Sequence, residues 1–199
     1  TRWAIDEILR HSQFDGVLAF TLPEAIWLAT ETADTRGIDD VVLGYPTVDR
    51  LALRELADNK HLQARITLMI DDAAHLAMIN DIAKDTEGTI RVCIDVDSSW
   101  RPRPIGARRS LHIGARRSPL HDVDQVVQFA SDVADTPNVK LVGLMFYEAQ
   151  IAGVGNTPPG HALRGRAITA MQSASAKEIA QRRPQVVDAV NDLLTSRGR

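Results

Sequence analysis

Short apolar runs alternate with longer amphipathic segments along most of this chain. Each run is almost continuous in large aliphatic residues, which is typical of a strand covered on both faces of a parallel sheet. Five runs are predicted to be strands: Val17–Phe20, Val41–Gly44, Ile66–Ile70, Ile90–Ile94 and Val139–Phe146. A helical pattern follows each of them, so the sequence predicts five strand–helix units.

Several helix boundaries can be predicted from single residues. Thr21 is a suitable N-cap, Pro23 fits a first helical turn, and Glu24 stands three residues after the cap. Together they form a capping box and predict a helix that runs toward Ala33.

Later segments carry further helix signals. Either Asp71 or Asp72 caps the helix that follows the third strand. After a long loop, the helix of the fourth unit is expected to start near His121 and to end near Ala134. The last helical pattern contains Pro184, where a kink or a break is expected because proline removes a backbone hydrogen bond.

Two architectures account for alternating strands and helices: an open doubly wound sheet, or a piece of an eightfold barrel. No Gly-x-Gly-x-x-Gly follows the first strand, and Gly-Lys-Ser and Gly-Lys-Thr are absent, which disfavours the common nucleotide-binding sheets. Five units are too few to close a barrel, which takes about 250 residues. In both architectures the functional residues are expected at the carboxyl ends of the strands.

Composition limits the classes of function. The chain has 199 residues, of which 44% are hydrophobic, enough for one sizeable core. Its net charge of -3 gives no strongly basic face for nucleic acid. The single cysteine, Cys93, excludes an internal disulfide. The sequence has no signal-peptide pattern at its start and no apolar stretch near the roughly 20 residues that span a bilayer. We therefore expect a soluble, cytoplasmic protein with neither nucleic-acid nor membrane partners.

The residues at the predicted strand ends resemble a known family. The matching segments are Ala19–Ala25, Leu43–Asp49, Ile94–Asp97, His112–Pro119 and Leu141–Gln150. In this order they are similar to the D-threonine aldolases and to proteins with an alanine racemase N-terminal domain, which are fold type III pyridoxal-phosphate (PLP) enzymes. The likeness is greatest to the bacterial amino acid deaminase/aldolase group, and it covers nearly the whole chain.

The resemblance implies an eight-stranded barrel that binds PLP at its mouth and is followed by a small β domain. Residues 1–199 would then be the central part of that barrel domain: a partial (β/α)8 TIM-type barrel of about five units, lacking the first strand, the last strands and the β domain. The Schiff-base lysine is expected upstream, at the end of the first barrel strand. None of the four lysines of this chain (Lys60, Lys84, Lys140 and Lys177) is predicted to lie at such a position.

The resemblance also implies cofactor-binding residues. Tyr147 ends the fifth strand where relatives place a residue that packs on the cofactor ring, and an aromatic side chain there is able to stack on it. The partner of the phenolic oxygen in relatives is an arginine after the fourth strand. Either Arg101 or His112 takes that position, depending on how the loop is aligned. A core tyrosine and a surface arginine are the structural alternatives.

Other polar residues in the same region are weaker candidates. Asp95 and Asp97 are two residues apart and would face one side of an extended strand end, where they orient the arginine or the tyrosine, or simply meet solvent. Gln150 is a candidate substrate contact. The sequence Ile-Gly-Ala-Arg-Arg-Ser occurs twice in the loop, at 105–110 and 113–118, and only the second copy matches the family.

The sequence offers no metal site, because its six histidines are scattered without a carboxylate cluster at ligand spacing. The resemblance allows a divalent metal in the parent protein, with ligands outside this chain. It implies a homodimeric, PLP-dependent lyase or isomerase of small D-amino acids, similar to D-threonine aldolase, of which this chain would be a fragment that is inactive alone. The alternatives are a non-catalytic PLP-binding protein and an inactive truncated product.

Overall fold

A computed structural model describes residues 2–11, 13–33, 35–103, 110–156, 160 and 162–198. The first copy of the duplicated hexapeptide, at 105–110, lies almost entirely outside these residues. The chain divides into two compact units. Unit 1 comprises Thr1–Ile94 and Asp132–Gly143, and unit 2 comprises Asp95–Ser131 and Leu144–Arg199.

Helices and strands alternate along the chain, as the hydrophobic pattern predicts. The helices are α1 (Arg2–Ile8), α2 (Leu22–Ala29), α3 (Arg50–Ala57), α4 (Lys60–Arg65), α5 (Ala73–Ala83), α6 (Val123–Asp135), α7 (Ala149–Ala152) and α8 (Ala162–Ser196). The strands are β1 (Val17–Ala19), β2 (Val41–Leu43), β3 (Ile66–Ile70), β4 (Ile90–Val96) and β5 (Val139–Phe146).

The five strands form one parallel sheet in the order β1-β2-β3-β4-β5. Val17 is in register with Val41, and Val41 is in register with Ile66. A doubly wound sheet reverses its strand order at a switch point, whereas neighbouring barrel strands follow one another in sequence. The strictly sequential order therefore favours the barrel over the doubly wound sheet.

Side-chain caps start the helices of unit 1. The Thr21 hydroxyl accepts a hydrogen bond from the Glu24 N–H at 3.3 Å, and the Glu24 carboxylate accepts from the Phe20 N–H at 2.8 Å. This confirms the predicted capping box, except that the Glu24 carboxylate accepts from the N–H of Phe20, one residue before the cap, and not from that of Thr21. Asp72 caps α5, since its Oδ1 accepts from the Ala74 N–H at 2.7 Å. Of the two predicted caps of α5, the structure thus has Asp72.

The core of unit 1 lies around β3, all five residues of which are buried. Apolar residues of the flanking helices pack at the same depth, and Leu53, Leu56 and Ile79 are each at most 2% exposed. Asn138 adopts a positive φ of 60° before β5, and its carbonyl accepts from the Ile90 N–H at 2.9 Å. Asparagine tolerates this conformation better than most residues, so the turn before β5 is encoded locally.

The structure departs from the sequence prediction in four helices. Helix α2 ends at Ala29, before the predicted Ala33. The short helices α4 and α7 were not predicted. The predicted alternative of a break at Pro184 is wrong, because α8 runs continuously through that residue. Pro184 has no backbone N–H to donate to the Ala180 carbonyl, and both residues lie on the exposed side of α8. No helix among the described residues is both long and apolar enough to cross a membrane.

Candidate functional site

A buried carboxylate and an arginine form an ion pair at the carboxyl end of β4. Asp95 belongs to this strand and is 1% exposed. Its Oδ2 accepts from Nε of Arg117 at 2.6 Å, although the two residues are 22 positions apart. The Arg117 side chain is partly buried, so the carboxylate fixes the orientation of a guanidinium that still reaches the surface.

The same arginine lies over an aromatic ring. The guanidinium carbon of Arg117 is 5.1 Å from the ring centroid of Tyr147, the residue that follows β5. Tyr147 is 47% exposed, so it is not the core tyrosine that the sequence left as an alternative. A cation over a ring face at this distance is attracted to the ring electrons. Asp95, Arg117 and Tyr147 therefore form one cluster within unit 2.

Asp97 forms a second, separate ion pair. Its Oδ2 accepts from Nη2 of Arg101, and its two oxygens accept from the Ser99 N–H at 2.7 Å and from the Ser99 hydroxyl at 2.9 Å. Burial raises the pKa of Asp97, but the Ser99 N–H, Arg101 and the Ser99 hydroxyl together outweigh it and hold that pKa below its ordinary value. The two aspartates thus orient one arginine each.

The two residues predicted to meet the phenolic oxygen, Arg101 and His112, both lie in the segment that follows β4. Arg101 is committed to Asp97 and to the Ser99 hydroxyl, which its Nε approaches at 3.2 Å. His112 lies next to Ile113, whose backbone pairs with Trp100 in an isolated antiparallel bridge. Among the described residues, the buried Nε2 of His112 has no hydrogen-bond partner.

Gln150, the predicted substrate contact, is 3% exposed. Its amide nitrogen donates to the Ser98 carbonyl at 2.6 Å and to the Ser175 hydroxyl of α8 at 2.7 Å. A Cβ added to Gly114 would lie 2.9 Å from Gln150 Oε1. The Gln150 side chain therefore links the loop after β4 to α8 through hydrogen bonds.

Sequence reasoning missed Arg117. It follows Arg116 in the copy of the duplicated hexapeptide that matches the family, and nothing in the local sequence separates these two arginines. The structure distinguishes them, because Arg116 is exposed while Arg117 turns toward Asp95. The Ser118 hydroxyl donates to the Asp95 carbonyl at 2.6 Å and so anchors the backbone beside this contact.

Unit 1 also carries polar and aromatic side chains at the carboxyl ends of its strands. Asp71 follows β3 and is 6% exposed, and His75 Nδ1 lies 3.1 Å from its Oδ1. Phe20 and Tyr45, which follow β1 and β2, meet edge to face with their centroids 5.2 Å apart. Within the part of the chain that the structure describes, no group of three or more His, Cys, Asp or Glu side chains is arranged for a metal.

The lysines lie elsewhere. Lys60 begins α4 and contacts Glu87, Lys84 follows α5 and contacts Asp81, Lys140 is the second residue of β5, and Lys177 is an exposed residue of α8. None of these four positions is the carboxyl end of a strand.

Solved enzyme structures have a similar fold. A D-threonine aldolase from Filomicrobium marinum matches with a TM-score of 0.54 at 22% identity, over 82% of this chain and 39% of the aldolase. The alanine racemase of Clostridium difficile 630 matches with a TM-score of 0.52 at 12% identity, over 88% of this chain and 41% of the racemase. An alanine racemase from Oenococcus oeni matches with a TM-score of 0.51 at 18% identity, over 89% of this chain and 36% of the racemase.

No protein-family model and no curated protein sequence matches the chain. At these identities the likeness shows the fold, and it confirms the predicted α/β class and the partial (β/α)8 TIM-type barrel. The predicted resemblance to the D-threonine aldolase and alanine racemase family is confirmed at that level. The chain spans between 36% and 41% of the length of these three enzymes.

Proposed function

We propose that residues 1–199 are the central part of the barrel domain of a PLP-dependent lyase or isomerase that acts on small D-amino acids. The observation that carries the proposal is the cluster of Asp95, Arg117 and Tyr147, which joins the ends of β4 and β5 within unit 2. The similarity of the fold to a D-threonine aldolase and to alanine racemases supports it.

The chemistry of the cluster fits one part of PLP. The half-exposed ring of Tyr147 offers a flat face for a pyridine ring. Arg117 carries a permanent positive charge and reaches the surface with its orientation set by Asp95, so its guanidinium suits a phenolate oxygen. We therefore assign the phenolic-oxygen contact to Arg117 in place of Arg101 or His112.

When bound, PLP withdraws electrons from the substrate and so stabilises negative charge at its Cα. The residues of this chain would bind and orient the cofactor. Asp95 holds the guanidinium of Arg117 in one orientation, and Arg117 would keep the phenolic oxygen ionised. Tyr147 would cover one side of the ring and limit its contact with water. The covalent lysine, the phosphate-binding loops and the catalytic base would come from other parts of the barrel.

A second candidate is non-catalytic PLP binding by this chain. The positions of the four lysines favour it, because none lies at a strand end where it would meet the cofactor. The two candidates share the same binding residues and differ in turnover. Supplying the lysine strand together with the phosphate-binding loops and the catalytic base would be expected to add D-amino acid activity only if the first candidate is correct.

Binding of pyridoxine 5′-phosphate, which has no aldehyde to react with lysines, tests the site itself. We expect the wild-type chain to bind it and Arg117→Met to weaken binding about tenfold or more, the value of one charge-assisted hydrogen bond. Arg116→Met, which removes the neighbouring exposed arginine, is the matched control and should bind like the wild type. Absence of binding by the wild type, or equal loss in both variants, would contradict the proposal.

A further inference from the structure

The cluster of Asp95 and Arg117 depends on two chain segments of unit 2. The strand-end segment, residues 95–99, continues from β4 and carries the carboxylate. The return segment, residues 117–121, comes back after the long loop and carries the guanidinium. The orientation of Arg117 is therefore fixed only if the two segments keep their alignment.

Two hydrogen bonds join these segments directly. The Asp97 N–H donates to the Leu120 carbonyl at 2.8 Å, and the Ser118 hydroxyl donates to the Asp95 carbonyl at 2.6 Å. Apart from Asp95, which belongs to the last part of β4, the residues of these two bonds lie outside regular secondary structure. Stretches outside helices and strands lack a regular ladder of backbone hydrogen bonds, so a further tie between them has a large effect on their alignment.

Arg182 of α8 supplies that tie. A single nitrogen, Nη1, donates to the Asp97 carbonyl at 3.0 Å and to the His121 carbonyl at 2.9 Å, and so bridges the two segments. Nη2 reaches the Ser99 carbonyl at 3.4 Å. Glu178, one helical turn earlier, accepts from Nε at 2.6 Å and lies 3.4 Å from Nη2. All five N–H groups of the guanidinium have a partner.

The position of this arginine is unusual for its surroundings. Arg182 is 8% exposed and belongs to the buried face of α8, between Ile179 and Val186. An aliphatic residue would fill the same space, and replacing a buried ion pair by apolar residues is often neutral or stabilising. An aliphatic residue has no hydrogen-bond donor and cannot fix the distance between the Asp97 and His121 carbonyls. The planar guanidinium fixes it by donating to both.

We infer that Arg182 is a positioning residue. It clamps the strand-end segment to the return segment and thereby holds Arg117 in the orientation that faces Tyr147. The consequence for the cofactor rests on the proposed function, because Arg182 acts on the phenolic-oxygen contact only through Arg117.

Hydrogen exchange tests the clamp without any ligand. We expect Arg182→Gln to speed exchange of the Asp97 and Ser99 amides about tenfold more than exchange of the α8 amides. Arg182→Lys keeps the positive charge but lacks the branched guanidinium. It should therefore protect the two amides from exchange better than Arg182→Gln but less well than the wild type. Val190→Ala removes buried side-chain volume from the same helix and is the control. It should speed exchange throughout unit 2 without selecting the two segments.

Binding of pyridoxine 5′-phosphate tests the consequence. Arg182→Gln should weaken binding and raise the pH at which the bound 3-hydroxyl ionises, as followed by ultraviolet absorbance, whereas Val190→Ala should change neither. Glu178→Gln, which removes the carboxylate that orients the guanidinium, serves as a milder second variant and should act in the same direction if Arg182→Gln does not fold.

The two proposals fail in different ways. If the wild-type chain does not bind the probe, the proposed function is wrong, and the exchange experiment still decides whether Arg182 holds the segments. If Arg182→Gln and Glu178→Gln give the same exchange pattern as Val190→Ala, the clamp is wrong. Arg182→Gln could also speed exchange selectively in the two segments and leave the binding and ionisation of the probe unchanged. That result would show that Arg182 ties the segments together but does not position Arg117.

Discussion

Arg117 donates to Asp95 at 2.6 Å with one edge of its guanidinium, while the plane of the same group lies over the ring of Tyr147. One carboxylate thus orients a cation against an aromatic side chain from a different strand end. The arrangement leaves Arg117 accessible enough to meet a ligand but not free to rotate away, which is what binding of an anionic oxygen requires.

Replacing Asp95 is expected to destabilise the chain and to release Arg117. Asp95→Asn keeps the shape but removes the charge, and loss of a charge-assisted hydrogen bond costs about 2 kcal/mol. Urea denaturation would measure this change in the free energy of unfolding. In a double-mutant cycle with Arg117→Met, the effects should be less than additive. Additive effects would show that the two side chains do not interact.

Asp97 is expected to make stability depend on pH. Its pKa is lower in the folded chain than the ordinary 3.8, so the unfolded state takes up its proton first as the pH falls. The stabilisation is therefore complete above the ordinary pKa and is lost as the pH falls through the folded value. The difference in unfolding free energy between wild type and Asp97→Asn should be constant near neutral pH and shrink below about pH 4.

The control for this pH dependence is Asp188→Asn, which changes an exposed aspartate of α8. Its difference from the wild type should vary much less with pH, because an exposed carboxylate gains little from folding. Equal pH dependence in the two variants would show that the network around Asp97 does not hold its charge.

Gly114 is expected to tolerate no side chain. Its φ is 143°, and an added Cβ would lie 2.9 Å from both Gln150 Oε1 and the Ser99 Cα. Gly114→Ala should therefore lower the free energy of unfolding by about 1–3 kcal/mol. Gly155→Ala is the matched control, since an added Cβ there meets nothing within 4 Å. A neutral effect at Gly114 would mean that the loop lies differently from the structure.

The isolated chain is expected to form no stable adduct with PLP at one preferred lysine. The four lysines lie on helices, at a helix end and near the start of a strand. Borohydride reduction after incubation with PLP, followed by peptide mapping, should give weak labelling spread over several lysines. Complete labelling of a single lysine would contradict both the assigned site and the view that the covalent anchor is supplied from elsewhere.

Much of the fold follows from local sequence signals. The β3 and β5 strands begin and end where the apolar runs predict. All of β3 is buried, which agrees with its run of large apolar residues, whereas most of β5 is only partly buried. Helix α4 was missed because Ile66 of β3 follows it without a loop. Its visible signal was Asn59, whose side chain caps the helix at the His61 N–H.

The sequence alone determined the class of fold and the positions of the strands, because hydrophobic runs and helix caps act over a few residues. The choice of Tyr147 as a cofactor residue came from the family resemblance and stays a prediction. The tertiary structure decided which arginine meets Tyr147, since the Asp95–Arg117 pair spans 22 residues and depends on the path of the loop between them. The tertiary structure also revealed Arg182. Its buried guanidinium contacts three backbone carbonyls that are distant from it in the sequence, and no local pattern predicts such contacts.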